Sequence, residues 1–180
     1  MSELLPINEP PMSLAPRRWP LVVATLVVYL AGAAAGSYFG WLSSDPYLEE
    51  FHRHNIDKIG GIFGLAFGLL AAVVWCWPMK LRTMRLLAAG RPLDDALVGW
   101  GTLWGAVVGL ACSMAVHSSL FFAITEAGSS HTAKWSGIVF HWGVPFGIGV
   151  GLAAGFACGV VWRSAACATN KTAPQETVAE

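Results

Sequence analysis

The segment GVPFGIGVGLAAGFACG, residues 143–159, places a glycine at every fourth position. In water, each glycine makes a helix about 1 kcal/mol less favourable than alanine does, so such a segment would be a poor helix. In the hydrocarbon core of a membrane, unpaired backbone groups are so unfavourable that a helix forms despite its glycines. Two helix backbones can then approach closely where side chains are missing. The segment therefore predicts a transmembrane helix with one tightly packed face.

Three other apolar segments carry the same spacing, so every predicted span contains an extended GxxxG row. The glycines predicted to pack helices together are Gly32, Gly36, Gly40, Gly60, Gly64, Gly68, Gly101, Gly105, Gly109, Gly143, Gly147, Gly151, Gly155 and Gly159. The sequence thus predicts an all-α integral membrane protein, a bundle of four transmembrane helices packed through GxxxG rows. Residues four apart differ by about 40° around a helix, so the row from Gly143 to Gly159 turns through about 160°. We expect span 4 to contact two neighbouring helices, because one straight neighbour cannot follow that turn.

Long uncharged runs set the limits of the spans. Only 12% of the 180 residues are charged, against roughly 25% in soluble domains. We predict spans at about 19–43, 59–79, 96–124 and 135–162, each long enough for the ~20 residues that cross a bilayer. They form a transmembrane domain over residues 19–165, and residues 1–18 and 166–180 are predicted to be disordered cytoplasmic tails. A signal peptide cleaved after Ala35 or Gly36 is the alternative for span 1, disfavoured because the apolar run continues to Trp41.

Lysine and arginine residues are concentrated at one set of span ends. Positive residues collect on the cytoplasmic side of membrane proteins, so both termini and the 80–95 loop are predicted to be cytoplasmic. A bacterial inner membrane is the simplest location, the lipid bilayer is the expected partner, and no basic patch indicates nucleic acid. Within that loop, Gly90 and Pro92 predict the end of one helix, and Asp94 or Asp95 predicts the start of the next. The nine tryptophans lie near span ends and predict an interfacial belt.

Histidines supply candidate ligands on the predicted outer side. His117 and His141 lie inside spans, where titratable groups are rare, and Pro145 lacks the N–H that would bond the His141 carbonyl. With His131 and Glu126 they form a candidate Zn²⁺ or Cu²⁺ site. Two histidines on facing helices are also able to ligate a haem, and a neutral imidazole is able to hydrogen-bond a lipid-soluble ligand. A bond to a neighbouring hydroxyl or carbonyl group is the simpler interpretation, which we favour.

No catalytic motif stands out in the sequence. GxSxG, P-loop and HExxH patterns are missing, and the four cysteines form no CxxC pair, so an enzyme is disfavoured and no catalytic residue is assigned. No span carries a charged residue well inside it, which disfavours an ion-coupled transporter. The leading hypothesis is a structural or assembly subunit that forms a homo-oligomer or binds a membrane-protein partner. The alternatives are a metal- or haem-binding redox or sensor protein and a passive conduit for a small neutral solute.

Overall fold

The computed structural model describes residues 18–48, 55–126 and 139–171. Of these residues, 94% are helical, and none of them lies in a β-strand. The helices are α1 (Trp19–Leu48), α2 (Ile56–Ala88), α3 (Asp95–Glu126) and α4 (Val144–Lys171). A single π-helical turn, Val139–Gly143, leads into α4.

All four helices are long and apolar enough to cross a membrane. Their apolar segments cover 27, 33, 29 and 31 residues, and at ~1.5 Å per residue even the shortest exceeds the ~30 Å hydrocarbon core. Many large apolar side chains also point outwards, among them Leu30, Ile62 and Leu103. An outer surface of this kind is suited to lipid. The chain is an integral membrane protein with four helical spans, as the sequence predicted.

The helices form two hairpins that pack side by side. α1 makes its most extensive contact with α2, and α3 with α4, while α2 against α3 and α1 against α4 join the hairpins. The start of α1, the 89–94 loop and the end of α4 meet at one end of the bundle, where Ala24, Leu93 and Trp162 share a buried cluster. We call this the Arg163 end. The opposite end, where Ile56 and Leu120 are buried together, is the His117 end.

The connection between α2 and α3 has the chemistry that the sequence predicted. Gly90 has a φ of 62°, a left-handed conformation that glycine adopts readily. The N–H groups of Gly90 and Arg91 donate to the carbonyls of Leu87 and Leu86 at 3.0 and 2.9 Å, which is the Schellman pattern that ends helices. Asp94 then accepts a hydrogen bond from the Ala96 N–H at 3.2 Å and caps α3. The predicted helix stop and start are both confirmed.

The helices are longer than the predicted spans. α2 continues past Lys80 to Ala88, and α4 continues to Lys171, so residues 166–171 are helical rather than part of a tail. The predicted limits marked where the apolar run ends, whereas lysine and arginine are good helix formers and do not end a helix. Thr83 and Ala166 remain buried in these extensions, because each faces a neighbouring helix.

The π-helical turn lies where the sequence predicted a break. Pro145 has no N–H, so the regular i to i+4 hydrogen bond from the His141 carbonyl cannot form. A wider turn directly before the proline, Val139–Gly143, is a typical adjustment to such a gap. The prediction of an irregular helix at His141 is confirmed.

Replacement of Gly90 by alanine tests the turn. Nothing lies within 4 Å of an added Cβ at this position, so the change acts through the backbone alone. A left-handed conformation disfavours a residue with a Cβ by about 1–2 kcal/mol. We expect Gly90→Ala to lower the free energy of unfolding by about 1 kcal/mol, measured by denaturant unfolding in detergent micelles.

Gly99→Ala is the matched control. Gly99 also has open space at its Cβ position, but it lies within α3, where alanine is a better helix former. Its stability should be unchanged or higher. A Gly90→Ala protein as stable as the Gly99→Ala protein would contradict this account of the turn.

Candidate functional site

Between α1 and α2, the space that a side chain would need is filled by backbone. A Cβ at Gly36 would lie 2.6 Å from the Gly68 Cα, and one at Gly40 would lie 2.7 Å from the Gly64 Cα. Real Cβ atoms essentially never come within 3.0 Å of such a neighbour. Every residue larger than glycine would therefore push these two helices apart.

Between α3 and α4, the geometry is the same. A Cβ at Gly105 would lie 2.6 Å from the Gly155 Cα, and one at Gly109 would lie 2.6 Å from the Gly151 Cα. The two hairpins therefore have equivalent interfaces, each centred on glycine backbone.

The α4 row lies against α3 along its whole length, so a single neighbouring helix does follow its turn. A Cβ at Gly143 would meet the His117 ring, and one at Gly159 would meet Val98, so both ends of the row lie against α3. Helices packed through small-residue rows typically cross at an angle that follows the row, which allows one neighbour to stay in contact with it. The predicted contact of α4 with two helices is confirmed, because α4 also packs against α1, where Phe146 contacts Phe39.

An apolar cavity of about 100 Å³ lies between the two hairpins at the centre of the bundle. All four helices contribute to its lining, and most of the residues that face this space are small. Its lining residues are Val28, Ala31, Gly32, Ala35, Gly36, Phe39, Gly68, Ala71, Ala72, Trp75, Gly105, Val108, Gly109, Cys112, Gly147, Val150, Gly151, Ala154, Gly155 and Cys158.

Aromatic side chains lie at both ends of this cavity. Towards the Arg163 end, Trp75 packs edge-on against Trp162, with ring centroids 6.0 Å apart. Towards the His117 end, Phe39 packs against Phe146 and against His117, each at 5.9 Å between ring centroids. The small residues between these aromatic layers leave the cavity open.

Among the tryptophans that the structure describes, two are buried, which corrects the prediction that an interfacial belt accounts for every tryptophan. Trp75 and Trp162 are 4% and 3% exposed. Their ring N–H groups donate to the Gly101 carbonyl at 2.9 Å and to the Thr83 hydroxyl at 3.0 Å. A tryptophan can enter a core when its N–H finds such a partner, and position along the sequence does not indicate this.

His117 is the most deeply buried titratable side chain at its end of the described structure, with 1% exposure. Its Nδ1 lies 2.9 Å from the Ser113 carbonyl. A carbonyl only accepts, so Nδ1 carries the hydrogen, and in a neutral ring Nε2 then presents a lone pair. Nε2 is buried and has no hydrogen-bond partner among the described residues. The Ser113 hydroxyl donates to the Gly143 carbonyl at 2.6 Å and joins α3 to α4 beside the ring.

Of the other predicted metal ligands, the described structure includes the side chain of His141. His141 lies in the π-helical turn and its side chain is exposed. His131 and the side chain of Glu126 lie outside the described residues, as do His52 and His54. Within the described ranges, no group of three or more His, Cys, Asp or Glu side chains is arranged to hold a metal ion. The favoured simpler interpretation, a hydrogen bond to a neighbouring carbonyl, holds for Nδ1 of His117.

The Arg163 end carries polar contacts of α4 with the start of α3, and of α2 with α3. Arg163 forms an ion pair with Asp95 and donates to the Leu93 carbonyl at 3.3 Å. Asp95 is 89% exposed, so the ion pair adds little stability. The Arg82 guanidinium lies 5.6 Å from the centre of the Trp100 ring, a cation–π distance. The bonds of Arg163 position α4 against the 89–94 loop and the start of α3, and the Arg82–Trp100 contact joins α2 to α3.

Comparison of the chain with protein-family models, with curated proteins and with solved structures gives no match.

Alanine substitutions at the glycines test the close approach of the helices. We expect Gly36→Ala and Gly105→Ala each to lower the free energy of unfolding by about 1–3 kcal/mol, the range typical of overpacking. The added Cβ has to displace helix backbone in both cases. Steric trapping or denaturant unfolding in micelles would measure the change.

Gly61→Ala and Gly149→Ala are the controls on α2 and α4. Neither has an atom within 4 Å of the added Cβ, so neither should lose stability. Equal behaviour of the two pairs of variants would show that contact between the helix backbones is not what holds the hairpins together.

Proposed function

We propose that this protein is a structural or assembly subunit within its membrane. In this proposal, the four glycine rows hold the helix bundle together, and the protein pairs with a second copy of the chain. Support for the first part comes from the backbone contacts at Gly36–Gly68 and Gly105–Gly155. Because these rows contact each other within one chain, they are not free to bind a partner. An assembly surface must therefore lie elsewhere on the bundle.

A second row of small residues on the outer face of α4 supports the pairing. Gly149, Ala153 and Ala157 follow the same four-residue spacing and are exposed. Nothing lies within 4 Å of a Cβ added at Gly149. This row carries the proposal, because small residues at this spacing are the ordinary contact between helices in lipid. Two copies related by a twofold axis would place identical rows against each other.

Leucine substitutions on this outer row separate assembly from folding. We expect Gly149→Leu and Ala153→Leu to shift the protein from dimer to monomer without loss of thermal stability, because both positions face outwards. Native mass spectrometry in mild detergent and cross-linking in membranes would measure the oligomeric state.

Gly61→Leu is the control for the assembly test, because Gly61 also has open space but lies on α2. It should leave the dimer intact. A wild-type protein that is monomeric in its own membrane, or an Ala153→Leu protein that still dimerises, would refute the proposed interface.

In the proposed orientation, the protein spans a bacterial inner membrane with its Arg163 end on the cytoplasmic side. Arg18, Lys80, Arg85, Arg163 and Lys171 all belong to helix ends or flanks on that side of the bundle. Lys58 lies at the start of α2, at the His117 end. A positive bias of this kind favours the cytoplasmic side.

A second candidate function, metal or haem binding, is favoured by one observation. Histidines that ligate metals almost always donate their other ring N–H to a carbonyl, carboxylate or water. His117 has that arrangement, with Nδ1 bonded to the Ser113 carbonyl and Nε2 buried without a partner among the described residues. His141, His131 and Glu126 are the proposed further ligands. The passive conduit has less support, because aromatic side chains lie at both ends of the central cavity.

Spectroscopy of the purified protein decides the second candidate. A metal- or haem-binding protein should show a stoichiometric metal content or a haem absorption band that His117→Ala abolishes. His141→Ala should reduce either signal if His141 is a further ligand. A colourless, metal-free protein from cells supplied with iron, zinc and copper would exclude this function and leave the assembly proposal untouched.

A further inference from the structure

The cavity at the centre of the bundle is long and narrow. Its lining on α1 runs from Val28 to Phe39, a distance of about 16 Å at ~1.5 Å per residue. Its volume is about 100 Å³, on the order of the ~150 Å³ engineered apolar cavity that takes up benzene or xenon. A space of these proportions suits a linear molecule better than a compact one.

The lining indicates what kind of molecule this space accepts. Among the side chains that line it, Trp75 alone carries a nitrogen or oxygen atom, and its N–H is already bonded to the Gly101 carbonyl. A buried water needs two to four polar partners, which this lining does not provide. The cavity is therefore suited to hydrocarbon and not to water, ions or sugars.

The cavity is less well covered on one side of the bundle. Between α2 and α3, the large side chains of Phe63 and Phe67 pack against the buried cluster that contains Leu120. Between α1 and α4, the lining includes the small residues Ala31, which is exposed, and Ala154, which is half-buried. Since both helices are membrane spans, the medium outside this gap is the acyl chains of the bilayer.

We propose that the cavity binds one hydrocarbon chain of a membrane lipid, which enters between α1 and α4 and lies along the bundle between Trp75 and Phe39. Binding is driven by packing, because transfer from lipid to an apolar cavity gains no hydrophobic free energy. A chain in the cavity supplies the van der Waals contacts that the small lining residues do not make with each other. The headgroup stays in the membrane interface.

Photolabelling of the full-length protein tests this site. The protein is placed in phosphatidylcholine nanodiscs with a palmitic acid that carries a diazirine at mid-chain, irradiated, and mapped by peptide mass spectrometry. We expect saturable labelling of cavity residues, with Ala35 and Ala154 as markers. Excess unlabelled palmitic acid should reduce that labelling several-fold, while labels on the outward-facing Leu30 and Leu152 change little.

Two neighbouring alanines of α1 supply the matched variants. Ala35 lines the cavity, whereas Ala34 is exposed and does not line it. Ala35→Phe should fill the space and reduce labelling of Ala154 several-fold, and Ala34→Phe should leave it unchanged. If Ala35→Phe does not fold, the competition experiment on the wild-type protein decides. Labels confined to outward-facing residues, or labels at Ala154 that unlabelled palmitic acid does not reduce, would overturn the proposal.

Discussion

The close approach of helix backbones at glycine positions is the constraint on which we propose that the arrangement of this protein depends. At Gly36 and Gly105, the opposing backbone occupies the position of a Cβ, so no other residue fits without moving a whole helix. In a soluble protein, large apolar side chains fill the space between helices. Here, many of the large apolar side chains face outwards, where the surroundings are equally apolar, and the closest interior contacts are made by glycine. Dispersion between closely packed backbones replaces the hydrophobic effect, which has no force in lipid.

The same constraint accounts for the cavity. Glycine permits the close approach of α1 to α2 and of α3 to α4. The faces that the two hairpins present to each other carry alanine, valine and cysteine as well as glycine. Such side chains are too short to fill the space between pairs of helices, so a gap remains in the middle. Aromatic pairs close it at both levels where larger residues occur, Trp75 with Trp162 and Phe39 with Phe146. Tight packing within each hairpin and loose packing between the hairpins thus follow from one choice of residue size.

The sequence alone predicted the number of helices, their membrane-spanning length and the turn at Gly90. The thickness of the hydrocarbon core is reflected in the length of each apolar run, and a left-handed backbone is indicated by glycine. The sequence alone did not predict the features that depend on which helix faces contact each other. The burial of Trp75 depends on the Gly101 carbonyl of another helix, and the contact of the whole α4 row with α3 depends on the relative orientation of these helices, which spacing does not reveal. The central cavity is invisible for the same reason, since its lining comes from all four helices. The sequence also could not show that Nε2 of His117 has no partner among the described residues, because this depends on the positions of Ser113 and the surrounding helices.

The outer row of α4 and the gap into the cavity are neighbours, and this links the two proposals. Ala153 belongs to the outer row, and the next residue, Ala154, lines the cavity beside the gap between α1 and α4. A second copy seated on Gly149 and Ala153 would lie against the place where a lipid chain enters. Binding sites that share a boundary influence each other reciprocally, so whatever effect a bound chain has on dimerisation, dimerisation must have on the affinity for the chain. A lipid chain that lies wholly within the cavity would favour dimerisation, whereas one that protrudes from the gap between α1 and α4 would oppose it. Assembly of this protein would then depend on which lipids surround it.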